Sequence, residues 1–263
     1  MRTRVHEHTG TGETRREDRL ATEEPLELRL AAPGVAPHRA WVTMRTPGHD
    51  FELAAGWVVN EGLAPVDGVT RVGYCTDADL APEQEFNVVT LSLTSLTRVP
   101  HRHEGHASGS SACGVCGKDT VADALSAPRG PRWTGELPGP DVVRRLPDAL
   151  RERQTLFGRT GGVHAAGLAS ADGVVEVVRE DVGRHNAVDK VIGSRVLAGS
   201  GTGAAVLVVS GRAGFELVQK AVSSGAGALV AVGAPTSLAV DLARDAGLAL
   251  WGFTSSDRAV RYA

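Results

Sequence analysis

The clearest hydrophobic pattern lies in the second half of the chain, beyond Gly161. Apolar segments at 163–169 and 174–178 flank an Asp172-Gly173 turn, which predicts a β-hairpin. Short apolar runs then alternate with helical patterns: the runs are 205–209, 228–232 and 248–252, and the helices are 184–193, 215–223 and 236–246. Short Val, Leu and Ala strands that alternate with helices are typical of a parallel sheet covered on both faces. The pattern therefore predicts an α/β fold for this half.

The first half of the chain predicts a smaller α+β unit. Alternating or apolar segments indicate strands at 26–30, 40–44, 69–74 and 86–93. A helix is predicted to begin after the turn at 46–50 (TPGHD) and to end near Asn60-Glu61-Gly62. A unit of this size has a marginal core, so we expect it to pack against the rest of the chain.

These patterns set the predicted domain boundaries. Residues 1–24 are charged and polar without an apolar period, and we expect them to form a disordered tail. Residues 25–100 are the small α+β domain, residues 101–120 a flexible polar loop, and residues 121–263 the α/β domain.

The composition is that of a folded globular protein, with 42% hydrophobic and 22% charged residues among 263. A net charge of −3 gives no indication of bulk nucleic-acid binding. No apolar run reaches the ~18 residues of a membrane span, and the charged N-terminus contains no secretory segment. Three cysteines do not make a disulfide framework. We therefore expect a cytoplasmic protein.

The most reactive candidate is the pair Cys113 and Cys116, which follows a polar loop containing three histidines, His101, His103 and His106. A structural zinc site could combine the pair with these histidines, although the spacing matches no known zinc module. A thioredoxin-type pair would lie between a strand and a helix, whereas this one follows a long loop. The third interpretation is a sulfur relay, in which an accessible thiolate carries a sulfur atom as a persulfide. The motif alone leaves these interpretations open.

Lysine is scarce in this chain. The only lysines are Lys118, Lys190 and Lys220, and the other basic residues are arginines. Either the small number is chance, or each lysine lies where a compact ammonium suits better than a planar guanidinium.

Several segments together resemble one known family. They are 113–118 (CGVCGK), 160–166 (TGGVHAA), 180–190 (EDVGRHNAVDK), 210–212 (SGR), 234–239 (APTSLA) and 252–253 (GF). In this order and spacing they resemble the formate dehydrogenase accessory sulfurtransferase family, over about residues 26–263. The eleven-residue segment 180–190 is far more specific than any pair of cysteines.

The resemblance implies a sulfur carrier. Such a protein accepts sulfur from a cysteine desulfurase as a persulfide and transfers it to the bis(molybdopterin guanine dinucleotide) form of the molybdenum cofactor, which formate dehydrogenase requires for activity. It implies that Cys113 carries the persulfide and that Cys116 assists. It also implies a homodimer, a cytidine-deaminase-like three-layer α/β/α domain at the C-terminus, and no catalytic metal of the chain's own.

The family's cofactor-binding stretch corresponds to six consecutive residues, Phe253, Thr254, Ser255, Ser256, Asp257 and Arg258. Family members commonly carry an additional arginine and a glycine there, where this chain has Ser255 and Asp257. Arg258 is therefore the charge expected to contact the cofactor.

A deaminase-like fold raises the alternative of a zinc deaminase. That chemistry needs a His-x-Glu helix start and a downstream Pro-Cys-x-x-Cys. This chain has Ala187 in place of the glutamate and no cysteine at 210–214, so deamination is excluded. The fold would instead bind a nucleotide, with the turns at 210–212 and 234–237 facing its pyrophosphate.

Other interpretations remain open for these polar residues. The turns could be ordinary helix caps. Arg184, His185, Asp189 and Lys190 form either a binding site or a solvated helix face, and His164 is either a core histidine or a pocket histidine. The alternative function is a zinc-stabilised nucleotide- or cofactor-binding chaperone without covalent chemistry.

Overall fold

A computed structural model of the chain describes residues 1–76, 80–96 and 129–263. Within these ranges the strands are β1 (Arg2–Thr9), β2 (Gly12–Arg19), β3 (Glu24–Ala32), β4 (Val35–Arg45), β5 (Val69–Tyr74), β6 (Val88–Leu93), β7 (His164–Ala169), β8 (Val175–Asp181), β9 (Val206–Val209), β10 (Ala228–Ala231), β11 (Ala249–Ser255) and β12 (Arg258–Arg261). The α-helices are α1 (Asp50–Asn60), α2 (Pro140–Glu152), α3 (Thr155–Thr160), α4 (Arg184–Leu197), α5 (Phe215–Ser224) and α6 (Ser237–Ala246). None of these helices combines the length and apolarity that crossing a bilayer requires.

The second half forms a six-stranded sheet in the order β12-β11-β10-β9-β7-β8. Strands β9, β10 and β11 run parallel, as predicted. Strand β7 is antiparallel to both of its neighbours, and β12 is antiparallel to β11. Short connections account for the pairings of β7 with β8 and of β11 with β12, because a turn such as Asp172-Gly173 can join only antiparallel neighbours. The prediction of a parallel sheet is therefore right for the central strands alone.

Helices cover both faces of this sheet. Along β9, Leu207 and Val209 pack in a core with α4, α5 and α6, whereas Val206 and Val208 pack on the other face beneath α2. This alternation follows from the two-residue period of a strand. The second half is therefore a three-layer α/β/α arrangement, and the whole chain has a mixed α/β fold. Its likeness to a cytidine deaminase stays a prediction.

The first half forms a four-stranded sheet in the order β4-β3-β6-β5. Leu26, Leu28 and Leu30 alternate along β3 and are buried beneath α1. The opposite side of α1 packs against α4 through Ala55 and Val59. As expected, the small unit shares its helix with the core of the second half.

The expected disordered tail at residues 1–24 is wrong. Strands β1 and β2 form an antiparallel hairpin around a two-residue turn, Gly10-Thr11, and β3 begins at Glu24. The hairpin is almost wholly exposed, and the ion pairs Arg2–Glu17 and Arg16–Glu7 join its two strands diagonally. Its residues show no apolar period because neither face of the hairpin is buried.

Helices α1 and α4 cross backbone to backbone at two glycines. A Cβ atom placed on Gly193 would lie 1.7 Å from the carbonyl oxygen of Glu52, and one placed on Gly56 would lie 1.9 Å from that of Asp189. No side chain fits at either point, so these glycines set the distance between the two helices.

The Gly193→Ala substitution tests this crossing. Because the methyl group would meet a backbone carbonyl that cannot move alone, we expect a loss of about 4 kcal/mol or more in the free energy of unfolding, measured by urea denaturation. The control is Gly158→Ala in α3, where a Cβ meets nothing within 4 Å and alanine should be neutral or slightly stabilising. Equal urea midpoints for the two variants would contradict the proposed close contact.

A partly buried ion pair also joins α1 to β8. The guanidinium of Arg179 donates to Glu52, with Nη2 at 2.7 Å from Oε1, and His49 Nδ1 lies 3.1 Å from Glu52 Oε2. Burial alone would raise the pKa of Glu52, but the hydrogen bonds and charges of Arg179 and His49 outweigh it and lower that pKa to about 2. The Glu52 carboxylate is therefore held in its charged form.

This shift predicts how stability depends on pH. Since the folded pKa lies below the ordinary value of 4.5, the stabilisation is complete above about pH 4.5 and is lost as the pH falls towards 2. We expect Glu52→Gln to lower the free energy of unfolding most at pH 6 and progressively less towards pH 2.5, in urea titrations at each pH. The exposed Glu136, changed to Gln, is the control. A Glu52→Gln effect that is equal at pH 6 and pH 3 would refute this assignment.

Candidate functional site

The eleven-residue segment 180–190 joins the two halves of the molecule. The carboxylate of Asp181 accepts hydrogen bonds from the backbone N–H of Thr46 at 3.1 Å and from Asn186 Nδ2 at 3.1 Å. Lys190 Nζ lies 2.7 Å from Asp181 Oδ2 and donates to the carbonyl oxygen of Thr46 at 2.7 Å. Burial raises the pKa of the Asp181 carboxyl, and the Lys190 ammonium opposes that shift. Residues more than 130 positions apart are thus held together by charge and hydrogen bonds in the interior.

A second buried ion pair lies one residue earlier on α4. The carboxylate of Asp189 contacts Lys220 Nζ at 2.9 and 3.0 Å and accepts a hydrogen bond from Asn60 Nδ2 at 2.7 Å. Burial alone would lower the pKa of Lys220, but the charges of Asp189 and Glu61 raise it, so the ammonium stays protonated. Asp189 and Lys190 are therefore buried in ion pairs and do not form a solvated helix face.

Two of the three lysines take part in these buried ion pairs, and the third lies outside the described residues. Lys190 and Lys220 each hold a buried carboxylate, a task that suits a compact ammonium. Lys118 lies outside the described residues, as do Cys113, Cys116 and the predicted loop at 101–120. In the part of the chain that is described, no group of three or more His, Cys, Asp and Glu side chains is arranged to hold a metal ion.

Other residues of the segment 180–190 lie at an edge of the six-stranded sheet. His185 Nε2 is 2.8 Å from Glu216 Oε2, while its buried Nδ1 has no hydrogen-bond partner among the described residues. The buried Nε of Arg184 also lacks one. A Cβ placed on Gly211 would lie 3.6 Å from His164 Nδ1 and 3.9 Å from Arg184 Cδ. The sequence-predicted residues Arg184, His164 and Gly211 therefore come together.

Three helices begin at this same edge, where strands β8 to β11 end. Helices α4, α5 and α6 start after Gly183, Gly214 and Thr236, and none of these three residues makes a side-chain capping bond. Their free N–H groups and positive dipole ends favour an anion. The preceding turns are tied together, since Gly233 N donates to Gly211 O at 2.9 Å. The predicted turns 210–212 and 234–237 thus lie side by side.

A cavity of about 550 Å³ opens at this edge, between the sheet and helices α2 and α3. His164, Ser210, Gln154, Thr254 and Phe157 line it. Its volume is within the range of small-molecule sites. The cavity is therefore large enough for a ring system with an attached sugar.

The buried polar groups of this cavity are uncharged, whereas the charged residues in its lining, Asp148 and Arg151, are exposed. Thr254 is 1% exposed and its Oγ1 has no partner among the described residues. Gln154 is 6% exposed, and its side chain makes no capping bond to the first turn of α3. Ser210 Oγ accepts from Ala165 N at 2.9 Å, which leaves its hydrogen free to donate. Burial, and then the charges of Arg184 and His185, lower the pKa of His164, so its imidazole is neutral at pH 7.

The six residues of the predicted cofactor stretch lie in different environments. Thr254 and Ser255 line the cavity. Phe253 is 42% exposed with a left-handed φ of 49°, and the guanidinium of Arg258 lies 5.0 Å from the centre of its ring. Ser256 and Asp257 are exposed in the turn between β11 and β12. Cofactor contact by these six residues stays a prediction.

Sequence reasoning missed two lining residues, Gln154 and Phe157. They follow α2 in the chain and belong to no motif. Their position is set by Glu180, whose carboxylate accepts hydrogen bonds at 2.8 Å from the N–H groups of Leu156 and Phe157. No local signal in the sequence reveals a helix that is capped from a distant strand.

Replacing Lys220 by Met tests the buried pair. Asp189 would keep a buried charge without its cation, so we expect the free energy of unfolding to fall by about 3–5 kcal/mol in urea denaturation. The exposed Arg244, changed to Met, is the control and should cost less than about 1 kcal/mol. Similar losses for Lys220→Met and Arg244→Met would show that the pair contributes no more than a surface charge.

Comparisons with known proteins agree with these observations. Residues 21–263 match the FdhD/NarQ family. The sulfur carrier protein FdhD of Corynebacterium efficiens is 45% identical over 258 residues, which cover 94% of this chain and 90% of that protein. The sulfur carrier protein FdhD of Streptomyces avermitilis is 46% identical over 246 residues, with coverages of 90% and 84%.

Among solved structures, the fold matches a crystal structure from Desulfotalea psychrophila that is described as a formate dehydrogenase accessory protein. The TM-score is 0.75 at 21% identity, over 100% of this chain and 96% of the other. At that identity the likeness supports the fold alone. The family match over residues 21–263 and the identities of 45 and 46% show that this chain belongs to the FdhD/NarQ family.

Proposed function

We propose that this chain is a sulfur carrier that accepts sulfur as a persulfide on Cys113 and transfers it to the guanine dinucleotide form of the molybdenum cofactor for use by formate dehydrogenase. Relatives that share 45 and 46% of its residues are named sulfur carrier proteins. The cofactor is the substrate of this transfer. A cysteine desulfurase, the formate dehydrogenase apoenzyme and a second copy of the chain are the proposed partners, in the cytoplasm.

The observation that best supports a dinucleotide substrate is the carboxyl edge of the six-stranded sheet. Three helix starts without side-chain caps converge there beside Arg184 and Arg212, which suits a pyrophosphate. The buried polar groups of the neighbouring cavity are neutral, which suits an uncharged ring. One ligand with a charged and a neutral part would satisfy both features.

The proposed sulfur transfer needs no external oxidant or reductant in its first step. The thiolate of Cys113 attacks the outer sulfur of a persulfide on the desulfurase. A new S–S bond forms on Cys113 while the donor's S–S bond breaks, and the desulfurase cysteine leaves as a thiolate. In the second step Cys116 is proposed to assist: its thiolate attacks the inner sulfur of Cys113, a disulfide bond forms between the two cysteines as the persulfide S–S bond breaks, and the outer sulfur leaves as sulfide for the cofactor. A thiol reductant then restores the two cysteines before the next transfer.

Mass spectrometry tests the persulfide. The full chain is incubated with a cysteine desulfurase and cysteine. We expect wild type to gain the mass of one sulfur atom and Cys113→Ala to gain none, because the carrier thiolate is missing. Cys75→Ala is the matched control, since Cys75 is half-buried after β5 beside Arg29, and it should load like wild type.

Two results would count against this function. One is a Cys113→Ala protein that still carries sulfur and still supports formate dehydrogenase activity. The other is about one zinc per chain that disappears when Cys113 or Cys116 is replaced, which would support a zinc-stabilised binding module instead.

A further inference from the structure

A second cavity lies at the edge of the six-stranded sheet where β10 and β11 begin, opposite the carboxyl edge. We propose that it is the docking site for the sulfur donor, and that its arginines bind an acidic segment on the surface of the cysteine desulfurase. This inference rests on the proposed function, because that function requires a protein that donates sulfur. It adds the surface that the donor contacts.

Two parts of the chain line this cavity, whose volume is about 550 Å³. The first part is the pair of links that join α5 to β10 and α6 to β11, at 225–227 and 245–248. The second part is the segment 129–137, which we call the strap. Because β10 and β11 are parallel, this edge lies at the other end of the strands from the turns proposed to bind the cofactor.

The strap is held against the sheet edge by close contacts. Gly130 N donates to the carbonyl oxygen of Val222 at 3.1 Å. The half-buried ring of Trp133 packs against the core that α2 covers, and a Cβ atom placed on Gly227 would lie 2.5 Å from its Cδ1. The strap therefore has a fixed position, and the side chains that it carries line a preformed cavity.

Three arginines line this cavity without partners. Arg129, Arg132 and Arg244 are exposed, and within the described ranges none of their side chains forms a hydrogen bond or an ion pair. The lining contains one acidic residue, Asp245, so positive charge is in excess. A guanidinium binds a carboxylate through two parallel hydrogen bonds. Carboxylates are therefore the groups that this cavity fits.

The helix end at this cavity does not cancel the arginine charges. A helix C-terminus carries partial negative charge on its last carbonyl groups. In α6 these groups are already bonded, since Gly247 N donates to Arg244 O at 3.2 Å and Leu248 N donates to Ala243 O at 2.9 Å. A Cβ placed on Gly247 would also lie 2.8 Å from Arg132 Nη2. With the carbonyl groups bonded and a guanidinium beside them, the cavity keeps its excess of positive charge.

The apolar part of the lining indicates a protein partner rather than a free anion. Trp133 and Leu137 lie beside the arginines, and Leu137 is 42% exposed. Tryptophan and arginine are enriched at the energetic centres of protein interfaces. A surface that combines apolar side chains with several cations fits an extended segment that carries both carboxylates and an apolar side chain.

The chain itself links this cavity to the reacting cysteines. Cys116 precedes Arg129 by 13 residues, and a tether of that length spans at most about 45 Å when it is fully extended. A donor docked at the cavity is therefore within reach of the cysteine pair. Because the proposed cofactor site lies at the opposite edge of the sheet, the donor and the cofactor can be bound at the same time.

Sulfur-transfer kinetics on the full chain test this inference. A cysteine desulfurase supplied with cysteine loads the chain, and the initial rate of the mass gain is measured against the concentration of the chain. Arg129→Glu and Arg132→Glu should each raise KM about tenfold and leave kcat within about twofold, because they remove a docking charge and keep the reacting thiol. Arg15→Glu, the same charge change on the exposed strand β2, is the matched control and should alter neither constant.

A small-molecule donor separates docking from a structural role. Cysteine persulfide needs no protein surface, so both arginine variants should accept sulfur from it at the wild-type rate and melt within about 2 °C of wild type. Slow loading from both donors would show that the arginines support the fold or the cysteines, and would overturn the inference.

The remaining outcomes are distinct. If wild type gains no sulfur from the desulfurase, the proposed function fails, and this inference fails with it. If wild type is loaded and both arginine variants keep its KM, the donor docks elsewhere, and this inference fails while the proposed function stands. If the variants keep that KM but lose affinity for the formate dehydrogenase apoenzyme in calorimetry, the cavity binds the acceptor and the inference is again wrong.

Discussion

Two buried ion pairs on helix α4 determine how the halves of this molecule fit together. Lys190 pairs with Asp181 and Asp189 pairs with Lys220, all within the interior. Charges removed from water are tolerated only where their partners are in place, so α4 has a single acceptable position. The glycine crossing at Gly193 then sets how closely α1 approaches. The first residues of α4, Arg184 and His185, take their positions at the carboxyl edge of the sheet from this arrangement.

The same helix connects the interior to the candidate site. It begins with Arg184 and His185 at the edge, and one turn later it carries the buried Asp189 and Lys190. Just before it, Glu180 fixes the start of α3 and thereby one wall of the cavity. The segment 180–190 is therefore distinctive because its residues hold the two halves together and also shape the carboxyl edge of the sheet.

Local patterns predicted the strands and helices of the second half, because continuous apolar runs and helical periods are properties of neighbouring residues. They could not predict the hairpin at residues 1–24, which pairs charges across strands and has no apolar period. Nor could they distinguish a buried Lys190 from a solvated one, since its partner Thr46 lies 144 residues away. The position of Gln154 could not be predicted for the same reason, because the helix that follows it is capped by Glu180, a residue in another element.

The irregular end of β11 lies beside both the turn at Gly233 and the cavity. A left-handed backbone at a residue such as Phe253 costs about 1–3 kcal/mol and persists only where its surroundings enforce it. Here Phe253 N donates to Gly233 O at 3.1 Å, and the pairing with β12 shifts register between Gly252 and Ser255. The irregularity leaves Phe253 exposed while Thr254 is buried against the cavity. Because a bond to the neighbouring turn maintains this strained backbone, the end of β11 is held beside both the turn at Gly233 and the cavity.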